Sequence, residues 1–158
     1  MPNPAKETVT YPFTAFRFSV AISVPAVMNG ALCNASFAEC DGLEMTMDVK
    51  TIREGGNNAA QVRLFGAVNY GTLTLKRGMT ENFELWTWFD SLYQLGAAVA
   101  RGNVTVTFLA ADGIKKNVAF FLERCLPVKL KAPPLNAKDG IVAIEELQLA
   151  YEWLSRVP

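Results

Sequence analysis

Phe16-Arg17-Phe18-Ser19-Val20-Ala21-Ile22-Ser23-Val24 is the stretch from which the fold can be read. Phe16, Phe18, Val20, Ile22 and Val24 alternate with Arg17, Ser19, Ala21 and Ser23. Successive side chains of an extended chain point to opposite faces, so this period of two describes a strand with one buried face. Pro25, which has no backbone N–H to give, ends it, and Asn29-Gly30 supplies a turn. The same period returns downstream. Leu43, Met45, Met47 and Val49 alternate with Glu44, Thr46, Asp48 and Lys50, in a strand that can run on through Arg53. Glu54-Gly55-Gly56-Asn57-Asn58 then interrupts it, since two glycines and two asparagines favour positive φ and turns. Strands follow at Gln61 to Phe65 and Thr72 to Lys76, so the interruption reads as the tip of a long hairpin.

One segment changes period. Phe83, Trp86, Phe89, Asp90 and Tyr93 recur at helical spacing, with Leu85, Trp88, Leu92 and Leu95 beside them. Thr80 is placed to cap this helix, and Glu81 and Glu84 stand near the positive end of its dipole. The apolar stripe is wide, which predicts a helix covered on most sides. Its aromatic residues suit core or interface packing better than a cofactor box. Gly102-Asn103 turns the chain back into Val104, Val106 and Phe108. Asp112-Gly113 is a hairpin signal before Val118, Phe120 and Leu122. Ile141 to Tyr151 fits either a helix, through Ile144, Leu147, Tyr151 and Leu154, or a strand, through Ile141, Ala143, Leu147, Leu149 and Tyr151; periodicity leaves both open. The sum is seven or eight strands joined by hairpins and one helix, which predicts a mainly β, antiparallel sandwich or barrel.

The 158 residues suit a single domain over 1–158, with residues 1–12, which include Pro2 and Pro4, as a flexible arm. No apolar run approaches the roughly 18–20 residues that span a bilayer, and no charged-then-apolar opening suggests a secretory signal. Cytoplasmic synthesis without membrane insertion is therefore expected. Fifteen basic and 15 acidic residues cancel, which speaks against tight nucleic-acid binding. Apolar residues make up 51% of the chain and charged ones only 19%, and the mean hydropathy is positive. A large subunit interface is the simplest sink for that surplus, because obligate interfaces resemble a core cut in half.

The chain contains no histidine, which removes Ser-His and Cys-His nucleophile pairs and every imidazole zinc pattern. Cys33, Cys40 and Cys125 form neither a CxxC nor an even framework, so buried reduced thiols are expected. Glu54-Gly55-Gly56-Asn57 lacks the spacing and strand-loop-helix setting of a phosphate loop. Glu39/Asp41 and Glu145/Glu146 are carboxylate pairs without ligand spacing, expected on solvated or salt-bridged faces. Lys129 and Lys131 alternate on one strand face, where lysines would guard an exposed edge. No catalytic residue, cofactor site or metal site is assigned, and the chain is expected not to be an enzyme.

Several segments, in order, resemble the phage tail tube family, which includes the tail tube protein of T4-like phages and the tube subunits of extracellular contractile injection systems. Phe37-Ala38-Glu39-Cys40-Asp41-Gly42-Leu43-Glu44 resembles its F-x-E-C-x-G-L-E segment. Arg53-Glu54-Gly55-Gly56-Asn57 resembles its R-E-G-G-N loop. Leu73-Thr74-Leu75-Lys76-Arg77-Gly78 resembles L-T-L-K-R-G, followed in both by an aromatic-rich helix. Pro127-Val128-Lys129-Leu130 resembles P-V-K-W, with Leu in place of Trp. Leu135-Asn136-Ala137 and Ala143-Ile144-Glu145-Glu146-Leu147 resemble the closing L-N-A and A-I-E-x-L segments.

The resemblance implies hexameric rings with a continuous β-barrel lumen, stacked into a hollow tube inside a contractile sheath. It implies a strand over Ile141 to Tyr151. It implies partners of four kinds: further copies of the chain, the sheath protein, baseplate hub and spike proteins, and a DNA or protein cargo. It puts inter-ring and inter-subunit contacts at the hairpin tip, Arg53, Glu54, Gly55, Gly56, Asn57 and Asn58, with Arg53 and Glu54 as ion-pair partners between rings. Lys76, Arg77, Trp86 and Trp88 complete the expected interface, the aromatic helix sealing subunit joints and facing the sheath. Three other functions remain open: a tube-initiator ring at the baseplate, a ring-forming tube protein of type VI secretion, and a monomeric ligand-binding β-sandwich.

Overall fold

The computed structural model describes residues 17–35, 37–56, 58–110 and 116–157. The expected arm at 1–12, Phe16, Asn57 and the Asp112-Gly113 turn lie outside the described residues. In chain order the elements are β1 (Phe18–Ser23), β2 (Ala31–Ala35), β3 (Glu39–Asp41), β4 (Met45–Ile52), β5 (Val62–Tyr70), β6 (Thr72–Gly78), α1 (Glu84–Leu95), β7 (Gly102–Leu109), β8 (Lys116–Lys131), β9 (Ile144–Ala150) and β10 (Trp153–Val157). Among the described residues every strand pairing is antiparallel. The class read from the sequence therefore stands, with ten strands and one helix among the described residues. The sequence reading missed β2, β3 as separate from β4, and β10, all of five residues or fewer, which are too short to show a period. Ile141 to Tyr151 resolves in favour of strand, beginning at Ile144.

Eight strands form one sheet in the order β2-β1-β7-β8-β9-β6-β3, with β10 also on β8; β4 and β5 make a separate two-stranded ribbon. The 16-residue β8 ties the sheet's two halves together. Its first part, Lys116 to Cys125, has β7 on one flank, and β10 lies opposite Ala119 to Glu123 on the other. Its second part, Leu126 to Lys131, pairs with β9. Between the two parts Arg124 adopts φ 54°, and a bulge follows at Pro127/Lys129. A bulge kinks a strand and increases its twist, so the sheet folds over at this corner. Val20, Ile22, Val104, Val106, Leu122 and Leu154 from one half then meet Leu73, Leu75, Leu147 and Leu149 from the other in one buried cluster, closed by Leu85 and Trp88 of α1.

Two local expectations change. Thr80 does not cap the helix. Met79 N–H still donates to Ala143 O at 2.8 Å, prolonging the β6–β9 ladder, so the backbone cannot turn helical at once. The Thr80 hydroxyl accepts from Asn82 N–H, and Asn82 Oδ1 accepts from Glu84 N–H at 2.9 Å, which makes Asn82 the residue that satisfies the first turn. Nor is α1 covered on most sides. Leu85, Trp88 and Ser91 are buried against the sheet, whereas Phe83, Tyr93 and Leu95 remain exposed.

Candidate assembly interface

The β4–β5 ribbon is the most exposed apolar element of the subunit. Cross-strand partners share a face, and the register sets Met45 opposite Tyr70, Met47 opposite Val68 and Val49 opposite Phe65. That face carries Met45, Met47, Val49, Val68 and Phe65 into solvent, the last with 89% of its surface accessible. On the other face Asn69 Nδ2 donates to Asp48 Oδ2 at 3.0 Å. A two-stranded ribbon alone is marginal in water and normally needs a surface to lie on. The alternation seen in the sequence is thus real, but within one subunit it faces no core.

The tip is where the sequence put it. Arg53, Glu54, Gly55, Gly56 and Asn58 line an open, polar hollow of about 450 Å³ together with Ala59, Ala60 and Gln61. Gly56 turns at φ 100°, a conformation side chains resist. Among the described residues neither Arg53 nor Glu54 forms an ion pair inside the subunit.

The ribbon's root is pinned by Tyr151. Its hydroxyl donates to Gly42 O at 2.7 Å and accepts from Glu44 N–H at 3.2 Å, and its ring lies against Tyr70 with centroids 5.6 Å apart. Burial pushes its pKa up, and a backbone hydrogen bond at Glu44 partly offsets this. Gly42 sits where a Cβ would come within 2.0 Å of Thr72 O, at φ 103°. Only glycine lets β3 and β6 approach there, which explains the Gly of the C-x-G-L-E segment in structural terms.

The four remaining expected interface residues divide. Lys76 points outward from β6 and pairs with Glu39 of β3 at 3.5 Å. Arg77 points inward and is 4% exposed; its Nε bonds to Oε1 of Glu145, directly opposite on β9. The Arg77 guanidinium also reaches Asn82 O at 3.4 Å and lies over the Phe37 ring. Half-buried Trp86 donates its Nε1 proton to the other Glu145 oxygen at 3.2 Å, tying the helix to the same pair. Trp88 is fully buried, its Nε1 donating to Ala100 O at 2.7 Å. Arg77 and Trp88 are therefore consumed within the subunit and leave a neighbour almost nothing to touch. Glu145, expected on a solvated or salt-bridged face, is buried in an ion pair. A sequence signal existed: Arg77 and Glu145 occupy the apolar phase of their strands, after Leu73 and Leu75 and before Leu147 and Leu149. Two opposite charges breaking phase on adjacent strands mark a buried pair.

A second network sits at the β8 corner and was not anticipated. Glu152 accepts from Arg124 Nε at 2.6 Å and pairs with Arg101 at 2.8 Å, which holds its carboxyl below the usual range. Arg101 also donates to Arg124 O, and Asn103 Oδ1 accepts from Arg124 N–H. Lys129 is not simply an edge guard, since it lies 3.9 Å from Glu146. Burial pushes the Cys40 thiol up to about 11 and Cys125 to about 12, so both stay protonated at neutral pH; Cys33's side chain is not among those described. Among the described residues no three His, Cys, Asp or Glu side chains gather to hold a metal ion, and no helix is long and apolar enough to cross a membrane.

This architecture is shared with known proteins. A chain from the anti-feeding prophage baseplate superposes with a TM-score of 0.79 and 26% identity, covering 94% of this chain and 97% of that one. A chain of the PVC extracellular contractile injection system sheath-tube complex gives a TM-score of 0.79 at 22% identity, covering 94% and 93%. Hcp1 from Flavobacterium johnsoniae shares the fold more loosely, with a TM-score of 0.52 and 13% identity over 89% and 94%. No curated protein sequence matches the chain. The family described as T4-like virus tail tube protein gp19 matches residues 14–155, nearly the whole chain, and the protein belongs to it.

Proposed function

We propose that this chain is the repeating subunit of the inner tube of a contractile phage tail or tail-like injection particle. It forms one tail-tube domain, assembles as hexameric rings around a β-barrel lumen, and the rings stack head to tail. The observation that carries this reading is the β4–β5 ribbon, a two-stranded element whose apolar face meets solvent in the isolated subunit. A second copy of the chain supplies the surface it lacks. Its tip, with Arg53 and Glu54 unpaired within the subunit among the described residues, docks on the next ring. The exposed face of α1 meets the sheath, the baseplate nucleates the tube, and DNA or a protein effector passes through the lumen. The neighbours from sheath-tube and baseplate structures support these partners by likeness. The role is structural rather than catalytic, and the subunits are made in the cytoplasm before joining the particle.

A second reading follows from the baseplate neighbour, which at 26% identity is as similar in fold as the sheath-tube chain. Here the protein is the initiator ring between hub and tube. Negative-stain electron microscopy of the untagged protein separates the two. Long hollow tubes with sixfold end views are expected for the repeating subunit, and rings that never stack for the initiator. Monomers that neither assemble nor join a purified baseplate would defeat both.

A further inference from the structure

The outward face of the half-sheet β3-β6-β9-β8 carries a charge pattern that neither the composition nor the ribbon explains. Pairing sets Glu39 opposite Lys76, Lys76 opposite Glu146, and Glu146 opposite Lys131. One row across four strands thus reads acid, base, acid, base. The neighbouring row reads Asp41, Thr74, Gln148, Lys129 through the same registers. Contacts tie the two rows together: Lys76 pairs with Glu39 within the first, and Glu146 of the first is reached by Lys129 and Gln148 of the second. Both rows begin with an acid on β3 and end with a base on β8.

These two ends are also the free flanks of the half-sheet. Among the described residues β3 pairs only with β6, and Leu126 to Lys131 of β8 pair only with β9. An unpaired flank exposes a row of N–H and C=O groups that template another strand. Because each of the three pairings is antiparallel, β8 and β3 run in opposite directions. A second copy placed with its β3 beside the first copy's β8 therefore continues the sheet in its own antiparallel sense.

We propose that β8 of one copy pairs with β3 of the next, with Lys131 meeting Glu39 and Lys129 meeting Asp41, so that the alternation of sign runs unbroken through the joint. This rests on the tube reading and adds to it the edges that join and the residues that set their register. Like edges are refused: β3 against β3, or β8 against β8, places like charges opposite one another, which destabilises a strand pair. The joint is head to tail by electrostatics, and a heterologous joint of this kind closes into a ring when its rotation permits. A slip of one residue would turn these charges to the other face and is refused as well.

Charge reversal tests it. Lys129→Glu with Lys131→Glu makes both flanks acidic, and Glu39→Lys with Asp41→Lys makes both basic. Each double variant alone is expected to lose ring and tube formation in sedimentation and negative stain, with circular dichroism unchanged. An equimolar mixture is expected to assemble again, in strict alternation, so native mass spectra show equal numbers of the two chains. If either variant assembles alone at the wild-type concentration, or the folded pair fails to rescue, the joint is wrong. Where a reversal lowers the thermal midpoint, Lys129→Gln with Lys131→Gln replaces it. That neutral variant should weaken assembly and remove its salt dependence, and unchanged behaviour overturns the proposal. Wild-type chains that stay monomeric even with a baseplate would overturn the tube reading, and the joint with it; self-assembling variants would overturn the joint alone.

Discussion

Arg77 and Glu145 each stand where their own strand's alternation calls for an apolar residue. Such a pair is tolerable only because its partners are complete: Glu145 is matched by Arg77 and by the Trp86 indole N–H, and Arg77 by Asn82 O as well. Removing one member strands a buried charge, which costs about 3–5 kcal/mol, whereas replacing both by apolar residues of similar volume is often neutral or better. Glu145→Ala is accordingly expected to lower urea stability by about that amount, and Arg77→Met with Glu145→Leu to regain most of it. A Glu145→Ala loss below about 1 kcal/mol would show that the pair does not hold the helix to the sheet.

The ribbon of β4 and β5 is the element whose state depends on company. Among the described residues it shares no strand pairing with the main sheet. It continues directly from β3 and into β6, the Gly71 N–H to Glu44 O bond at 3.2 Å closes the root of its own ladder, and the Tyr151 hydroxyl and ring hold that root at Gly42, Glu44 and Tyr70. Elements with little buried apolar surface open at free energies far below global unfolding. Hydrogen exchange on monomeric protein should therefore find amides of Met45–Ile52 and Val62–Tyr70 exchanging at least ~10²-fold faster than those of β7 and the first part of β8. In assembled particles the difference should close. Equal protection in the monomer, or none gained on assembly, would mean that the ribbon is not an interface.

Across the whole molecule two titrating groups at junctions between substructures contribute to the pH dependence of stability. Glu152 clamps the β8 corner with a pKa below its ordinary 4.5, so its contribution is present above that value and fades as pH falls through the lowered one. Tyr151 pins the ribbon with a pKa above its ordinary 10.0, so its contribution is complete below 10.0 and fades as pH rises through the raised one. Thermal midpoints should fall on both sides, and the Cys40 and Cys125 thiols, which burial also pushes up from 9.0, add to the alkaline loss. Glu152→Gln should reduce the loss on the acid side, and Tyr151→Phe the loss on the alkaline side. A variant that leaves its own limb unmoved would absolve that residue.

The sequence alone determined whatever depends on local period and backbone chemistry. Alternation marked most long strands, a change of period marked α1, and Gly55-Gly56 marked the hairpin tip, because each follows from side-chain direction or allowed φ. Its in-order motifs also pointed to the family. Only the tertiary structure decided where each face goes. Met45, Met47 and Val49 alternate as neatly as Val20, Ile22 and Val24, yet the first set meets solvent and the second the core. Period reports that a face is apolar, but not what covers it. Trp88 and Trp86 are two residues apart on one helix, and only packing separates the buried ring from the half-exposed one. The Arg77–Glu145 pair, the Arg124 corner and the charge rows of the half-sheet all join residues from strands distant in sequence. Their energies depend on register across those strands, which the folded sheet alone supplies.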